Sequence, residues 1–373
     1  MPETVLLTGA SGFLGLHIVD ALLYQGYNVL AAVRTSSREK NVREVAESHS
    51  TGSLSFVYVL DTGVQGAYDA VFKAHKEITA VIHTASPVGL STQYPIEDVV
   101  QPAVVSMVSI LHSIKNYAPQ VRKLAVTSSY ATIVSREIPI SQGTVINENS
   151  WLDIRIDDAK RGGLNAYRVS KVLAERALWD FVAQETPRFE VTTIVSPFQF
   201  GPILGHIKSV ETLNLSSHIF YRILKGQISQ EYTTEAVDVR DVARAHVVAI
   251  QKSESAGKRW LLVARSFVAN EVIDIVYKAG CRTTRERHNR GLLEGYPPDT
   301  LCSLRSHNMP PYGFVCQGLA VLNDRVDVKA ILASKYSIDN SSTRRDLGFE
   351  LRPLEMTVLD AAKDFISRGL IKP

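Results

Sequence analysis

The chain has 373 residues, 45% of them hydrophobic and 21% charged, enough to bury a sizeable core as one large α/β unit or as a large domain with a smaller lobe. A formal charge of +3, spread along the chain, is too slight for an electrostatic footprint and excludes nucleic acid as an expected partner. No apolar run approaches the roughly 18 residues of a membrane helix, no leader pattern precedes the first strand, and three irregularly spaced cysteines make no disulfide framework, so no membrane partner and a cytoplasmic address are expected.

The apolar run Val5-Leu6-Leu7 predicts a strand, and it leads into Thr8-Gly9-Ala10-Ser11-Gly12-Phe13-Leu14-Gly15 and a helix to about Tyr24. Gly9 permits a tight turn, Gly12 has no Cβ to hold a phosphate off, and Gly15 allows close packing of helix on strand. With the positive end of the helix behind it, this turn is predicted to cradle the pyrophosphate of a dinucleotide.

Gly26 stops the helix, and Asn28 to Val33 reads as the second strand, ending at Arg34. A site for NAD usually places an acidic side chain there; a guanidinium instead suits a 2′-phosphate, and Arg38 or Lys40 can add a second charge. NADPH is therefore the expected cofactor. A charged helix follows from about Ser37, then a strand from Leu54 to Leu60. Asp61, with Thr62 beside it, falls where a carboxylate can accept from the adenine amino group, although a solvated strand end accounts for it as well.

Further strands are expected at Ala80–His83, Lys123–Thr127 and Glu190–Val195, with helices from about Pro95 to Tyr117 and Asn165 to Gln184, and a polar loop reaching Lys160. Apolar strands alternating with helices predict an α/β fold, a doubly wound parallel sheet of the Rossmann kind, over residues 1–200. Residues 201–373 read as a smaller, mixed α/β substrate-binding lobe, with helices near Val210–Lys225 and Asp241–Gln251, interleaved with late sheet elements at about 233–265. An irregular insertion spans about 282–328, and a cap over the substrate pocket is the role expected of it.

Tyr167 and Lys171 stand four apart, so a phenol and an ammonium share one helix face. Tyr221 and Lys225 repeat that spacing, and position separates the two pairs. Ser129 lies just past the strand Lys123–Thr127, on the sheet edge where ligands bind, whereas the corresponding residue before Tyr221 is Ala183, inside a helix. Hydride delivery to a carbonyl carbon leaves charge on the oxygen, which must be held and protonated. Ser129 is expected to hold it, Tyr167 to protonate it, and Lys171 to lower the phenol's pKa and bind the nicotinamide ribose.

With these residues assembled, the chain resembles the extended short-chain dehydrogenase/reductases. More narrowly, it is similar to the dihydroflavonol reductase and cinnamoyl-CoA reductase group and its fungal ketone and aldehyde reductases. The matching segments include the glycine turn, Val33-Arg34, His83-Thr84-Ala85-Ser86-Pro87, Thr127-Ser128-Ser129, Tyr167 to Lys171, Ser196 to Pro202, and Val237 to Ala243 with His246. The resemblance implies that Thr84, Ala85 and Ser86 line the nicotinamide ribose and that Pro197 and Phe198 pack on the nicotinamide. It implies hydride transfer from NADPH to ketones or aldehydes of moderate size, by a monomer or homodimer without a metal. The helix after Pro102 reads Ser106-Met107-Val108-Ser109, lacking the asparagine that in this group helps to order a catalytic water. A nucleotide-sugar epimerase or dehydratase and a non-catalytic NADPH sensor are the rival readings.

Overall fold

The computed structural model describes residues 3–86, 92–135, 140–141, 143–207, 209–229, 232–290 and 336–371, with side chains in the last helix before residue 291 described only as far as Ala279. Among these residues the strands, in chain order, are β1 (Thr4–Thr8), β2 (Asn28–Val33), β3 (Ser53–Tyr58), β4 (Ile78–His83), β5 (Lys123–Thr127), β6 (Val145–Ile146), β7 (Glu190–Val195), β8 (Phe198–Phe200), β9 (Thr233–Asp238), β10 (Lys258–Leu261), β11 (Arg265–Val268) and β12 (Ser337–Ile338). The helices are α1 (Phe13–Tyr24), α2 (Glu39–Ala46), α3 (Asp69–Ala74), α4 (Gln101–Tyr117), α5 (Gly163–Glu185), α6 (Leu215–Leu224), α7 (Val239–Gln251), α8 (Ala269–Arg290), α9 (Ser341–Leu347) and α10 (Leu354–Ser367).

Seven strands pair in parallel in the order β10-β7-β5-β4-β1-β2-β3. Val5 and Leu7 of β1 face one side, where α1 and α7 cover them with Leu14, Ile18, Leu22 and Val242; Leu6 faces the other, against Ile110 and Leu111 of α4 and Leu178 of α5. Both faces are covered, which is why the strands read as continuous apolar runs. Each such buried aliphatic side chain contributes about 1.5–3 kcal/mol. The strand order reverses at β1 and β4, opening the crevice at their carboxyl ends where a doubly wound sheet receives its ligand.

The lobe is a three-stranded sheet, β11-β9-β8, packed on α6, α8 and α10. Its core is aromatic: Phe200 lies 5.2 Å from Phe220 and 5.6 Å from Phe267, and Phe220 lies 5.4 Å from Phe365. Interleaving with the main sheet is real but selective. Strand β10 joins the seven-stranded sheet and α7 covers its face, while β9, expected among the late elements of that sheet, instead pairs parallel to β8 and antiparallel to β11. The loop after β8 is fastened to the nucleotide half: the Nε2–H of His17 donates to the Pro202 carbonyl at 3.0 Å, and Asn41 pairs with the backbone of His206.

Local departures from the expected elements have identifiable causes. The helix expected from Pro95 starts as a π-helical turn over Ile96–Val100, because Pro102 offers no N–H to residue 98 and its ring crowds that carbonyl. The helix expected from Val210 is only a 3₁₀ turn until extended Asn214 allows α6 to begin. The insertion expected to be irregular from residue 282 keeps a helical backbone to Arg290; the rest of it lies outside the described residues. No helix among the described residues is long and apolar enough to cross a membrane.

Candidate active site

The glycine turn sits at the reversal point. Gly9 has φ +71°, and a Cβ on it would meet Thr84 Oγ1 at 2.5 Å; one on Gly15 would meet the Gly9 carbonyl at 2.1 Å. Chain packing therefore dictates both glycines. Gly12 differs, since a Cβ there would touch only the Gly9 carbonyl, at 3.3 Å, on an otherwise exposed turn. Gly12 also opens α1 without any side-chain cap, leaving the first-turn N–H groups of Phe13 and Leu14 to a ligand. A pyrophosphate fits this cradle and supplies the reason for Gly12 that packing does not. Ser11 is half-buried beside it.

Thr8 fixes the floor. Its hydroxyl oxygen accepts from the N–H groups of Thr84 and Ala85, both at 3.1 Å, so its proton goes to His83 Nδ1 at 2.8 Å. The Thr84 hydroxyl is spent on the Thr8 carbonyl at 2.7 Å, so Thr84 can line a ribose with its surface but not with its donor. Ala85 and Ser86 stay half-buried at the crevice, and Pro87 lies outside the described residues.

Arg34 is exposed past the end of β2 and makes no ion pair among the described residues. Arg38 and Lys40 are exposed on the segment that follows, Lys40 3.9 Å from Glu44, so an anion at this corner meets accessible cations. The Asp61 carboxylate accepts from the Gly63 N–H at 2.8 Å through Oδ1, with Thr62 buried next to it.

The reacting groups meet at the carboxyl end of β5. Ser129 caps a short 3₁₀ turn, its Oγ accepting from the Ala131 N–H at 3.2 Å and from the Tyr167 hydroxyl at 3.3 Å. With both incoming bonds accepted, the Ser129 proton is left to donate outward. Lys171 lies one turn along α5, its Nζ 5.6 Å from the centre of the Tyr167 ring. The expected lowering of the phenol pKa is not found. Burial raises it, opposed by the Ser129 hydrogen bond. Lys171 itself is lowered to about 8 by burial, against which the Glu175 carboxylate pulls upward. Pro197 and Phe198 are half-buried on the lobe side, where β8 begins. The structure thus brings the turn, Ser129, Tyr167 and Lys171 to one crevice, and sets Arg34, Lys40 and Asp61 on exposed strand ends and the helix beside them.

Sequence reasoning missed the ion pair behind these and gave His246, though singled out by the resemblance, no role. Glu175 and Arg259 form a buried ion pair, and Glu175 accepts from the hydroxyl of Ser128 at 2.5 Å. The His246 Nδ1–H donates to the Val242 carbonyl, so its Nε2 accepts from Thr127 Oγ1 at 2.7 Å and steadies the strand end. The one available signal was the four-residue step from Lys171 to Glu175.

A doubly wound sheet with a glycine turn at its reversal point and a serine, tyrosine and lysine at the next strand end defines a nucleotide-dependent oxidoreductase or epimerase fold. Residues 5–263 match the model of the NAD dependent epimerase/dehydratase family, and the chain belongs to that family, the extended short-chain dehydrogenase/reductases. It is 32% identical over 376 residues to the ketoreductase azaE of Aspergillus niger, covering 99% of each chain. It is 30% identical to the NADPH-dependent methylglyoxal reductase GRE2 of Saccharomyces cerevisiae, over 97% of this chain and 98% of that one. The solved structure of yeast methylglyoxal/isovaleraldehyde reductase Gre2 complexed with NADPH superposes with a TM-score of 0.81 at 29% identity, covering 99% of this chain and all of that one.

Proposed function

We propose that this chain is an NADPH-dependent reductase that converts the carbonyl group of a small ketone or aldehyde to an alcohol. The observation that carries the reading is the Tyr167 hydroxyl held 3.3 Å from Ser129 Oγ in the crevice that the glycine turn opens. Relatives with names of this activity span nearly the whole chain. NADPH, when bound, supplies the hydride. Around it, the turn Gly9–Gly15 with Ser11, Phe13 and Leu14 holds the pyrophosphate, and Arg34 with Lys40 selects the 2′-phosphate, which distinguishes this site from the NAD named for the family as a whole. Asp61 and Thr62 border the adenine; Thr84, Ala85, Ser86, Pro197 and Phe198 border the nicotinamide half.

The chemistry follows from proton positions. Ser129 donates a hydrogen bond to the substrate oxygen and keeps its proton, and Tyr167 transfers the one proton that the oxygen takes up with the hydride. A phenol raised by burial is fully protonated at neutral pH, which suits the acid role in reduction. Lys171 presents ammonium protons to the ribose hydroxyls. We further assign a cytoplasmic location and a monomer or homodimer.

The test is NADPH consumption with a panel of small ketones and aldehydes, followed by Tyr167→Phe. Turnover is expected to fall by about 10²–10⁴ while NADPH binding, followed by fluorescence, survives. A Tyr167→Phe protein that keeps its turnover overturns the assignment, and a wild-type protein that binds NADPH yet reduces nothing supports the sensor instead.

A further inference from the structure

Along α5, Tyr167, Lys171 and Glu175 follow one another at four-residue steps and share a face. The first two face the crevice; Glu175 is buried below them. Its Oε2 accepts from Ser128 Oγ at 2.5 Å, and its Oε1 accepts from Thr193 Oγ1 at 2.8 Å and from Arg259 Nε at 2.9 Å. Arg259 reaches onward from β10. It donates to Thr132 Oγ1 at 2.6 Å and to the carbonyls of Glu148 and Ser150, and lies 4.1 Å over the Trp151 ring. The Thr132 hydroxyl in turn donates to the Ser129 carbonyl at 2.8 Å. One ion pair therefore grips the chain on both sides of Ser129 and ties it to the helix that carries Tyr167.

The same carboxylate shares with Lys171 the lining of a small cavity of about 20 Å³, which also touches His83, Ser86 and Ser128. That is room for about one water molecule. Of the groups that face Lys171 there, His83 from β4 is neutral, lowered to about 3 by burial, and Tyr167 is a neutral phenol. Arg259, from β10, lies on the far side of Glu175. Glu175 is thus the negative charge placed to support the ammonium.

We propose that Glu175, clamped by Arg259, is a positioning residue for carbonyl reduction: it sets the Ser129 turn against Tyr167 and keeps Lys171 charged. The proposal rests on the reading of Tyr167 and Lys171 given above. It concerns neither substrate nor cofactor contact, since Glu175 touches neither.

The test compares ligand-free wild type with Glu175→Gln, using competitive acylation of Lys171 across a pH series read by mass spectrometry. The wild-type midpoint is expected near 8, and that of E175Q about one unit lower or more. The alkaline limb of kcat/KM should move with it, so E175Q loses about fivefold more activity at pH 8 than at pH 6, or more if the shift exceeds one unit. Glu175→Asp, which keeps the charge, should restore the midpoint. A folded E175Q with an unmoved midpoint and an unmoved limb overturns the proposal. Should E175Q not fold, Ser128→Ala leaves the ion pair intact and cuts only its hold on the residue before Ser129. That variant is expected to lose about tenfold in kcat without moving the midpoint, and unchanged kcat overturns the positioning role. If wild type reduces no carbonyl, the reading of the active site fails, yet the acylation midpoints still decide whether Glu175 holds the charge of Lys171.

Discussion

On the proposed reading Arg34 selects the cofactor: it stands, exposed and unengaged by any described carboxylate, past the end of the second strand. A bidentate guanidinium–phosphate contact is worth about 1.5–3 kcal/mol. Arg34→Ala should therefore raise KM for NADPH roughly 10–100-fold and leave that for NADH nearly unchanged, measured by steady-state kinetics with each cofactor. Equal effects on both would place the 2′-phosphate elsewhere. At this scale the sequence was readable where chemistry repeats at short range: Tyr167 and Lys171 through helical spacing, Arg34 through its place at a strand end. It was opaque where partners are far apart in the chain. Arg259 and Glu175 pair across 84 residues, and nothing in either neighbourhood announces the other. The direction of the Tyr167 shift was also unreadable, since it turns on burial.

At the scale of the element, the β1–turn–α1 unit separates two kinds of glycine. Gly15→Ala drives a methyl into the Gly9 and Ala10 carbonyls, and should cost about 1–3 kcal/mol of stability, visible as a lowered melting temperature. Gly12→Ala asks a neighbour to yield only a few tenths of an ångström, so the protein should melt nearly as wild type while NADPH affinity, titrated by fluorescence, falls at least tenfold. A Gly12→Ala protein that binds normally would remove the cradle from the account. Strands Asn28–Val33, Lys123–Thr127 and Glu190–Val195 were legible to the residue, because burial on both faces writes an uninterrupted apolar run. Strands β8, β9 and β11 were not read individually. β8 and β11 are short, and β9 includes Glu235, which accepts a hydrogen bond from Tyr336 more than a hundred residues later.

At the scale of the whole molecule, three histidines among the described residues are buried in neutral form. His17 and His246 are lowered to about 4 and His83 to about 3, each chiefly by burial. An unfolded histidine binds its proton near pH 6.5 and the folded one does not. Below that pH the unfolded chain therefore takes up more protons, and stability that is complete above pH 6.5 drains away as the pH falls toward the folded values. At pH 5 the loss is roughly 2 kcal/mol for each histidine. The apparent melting temperature should drop clearly between pH 7.5 and 5, before the carboxylates titrate; a flat profile would mean that these rings ionise in place.

The parallel sheet is finished by a strand, β10, that the chain makes only after β8, α6 and β9 of the lobe, and α7, which roofs one face, is made between β9 and β10. Neither half is contiguous, and a fragment ending at residue 200 would bare the outer edge of β7 along with the apolar underside of α1. Engineers who wish to graft a new specificity onto this scaffold cannot transplant the C-terminal half in one cut. Any chimaera must return to the recipient's own sequence for the roof helix and the closing strand before leaving it again.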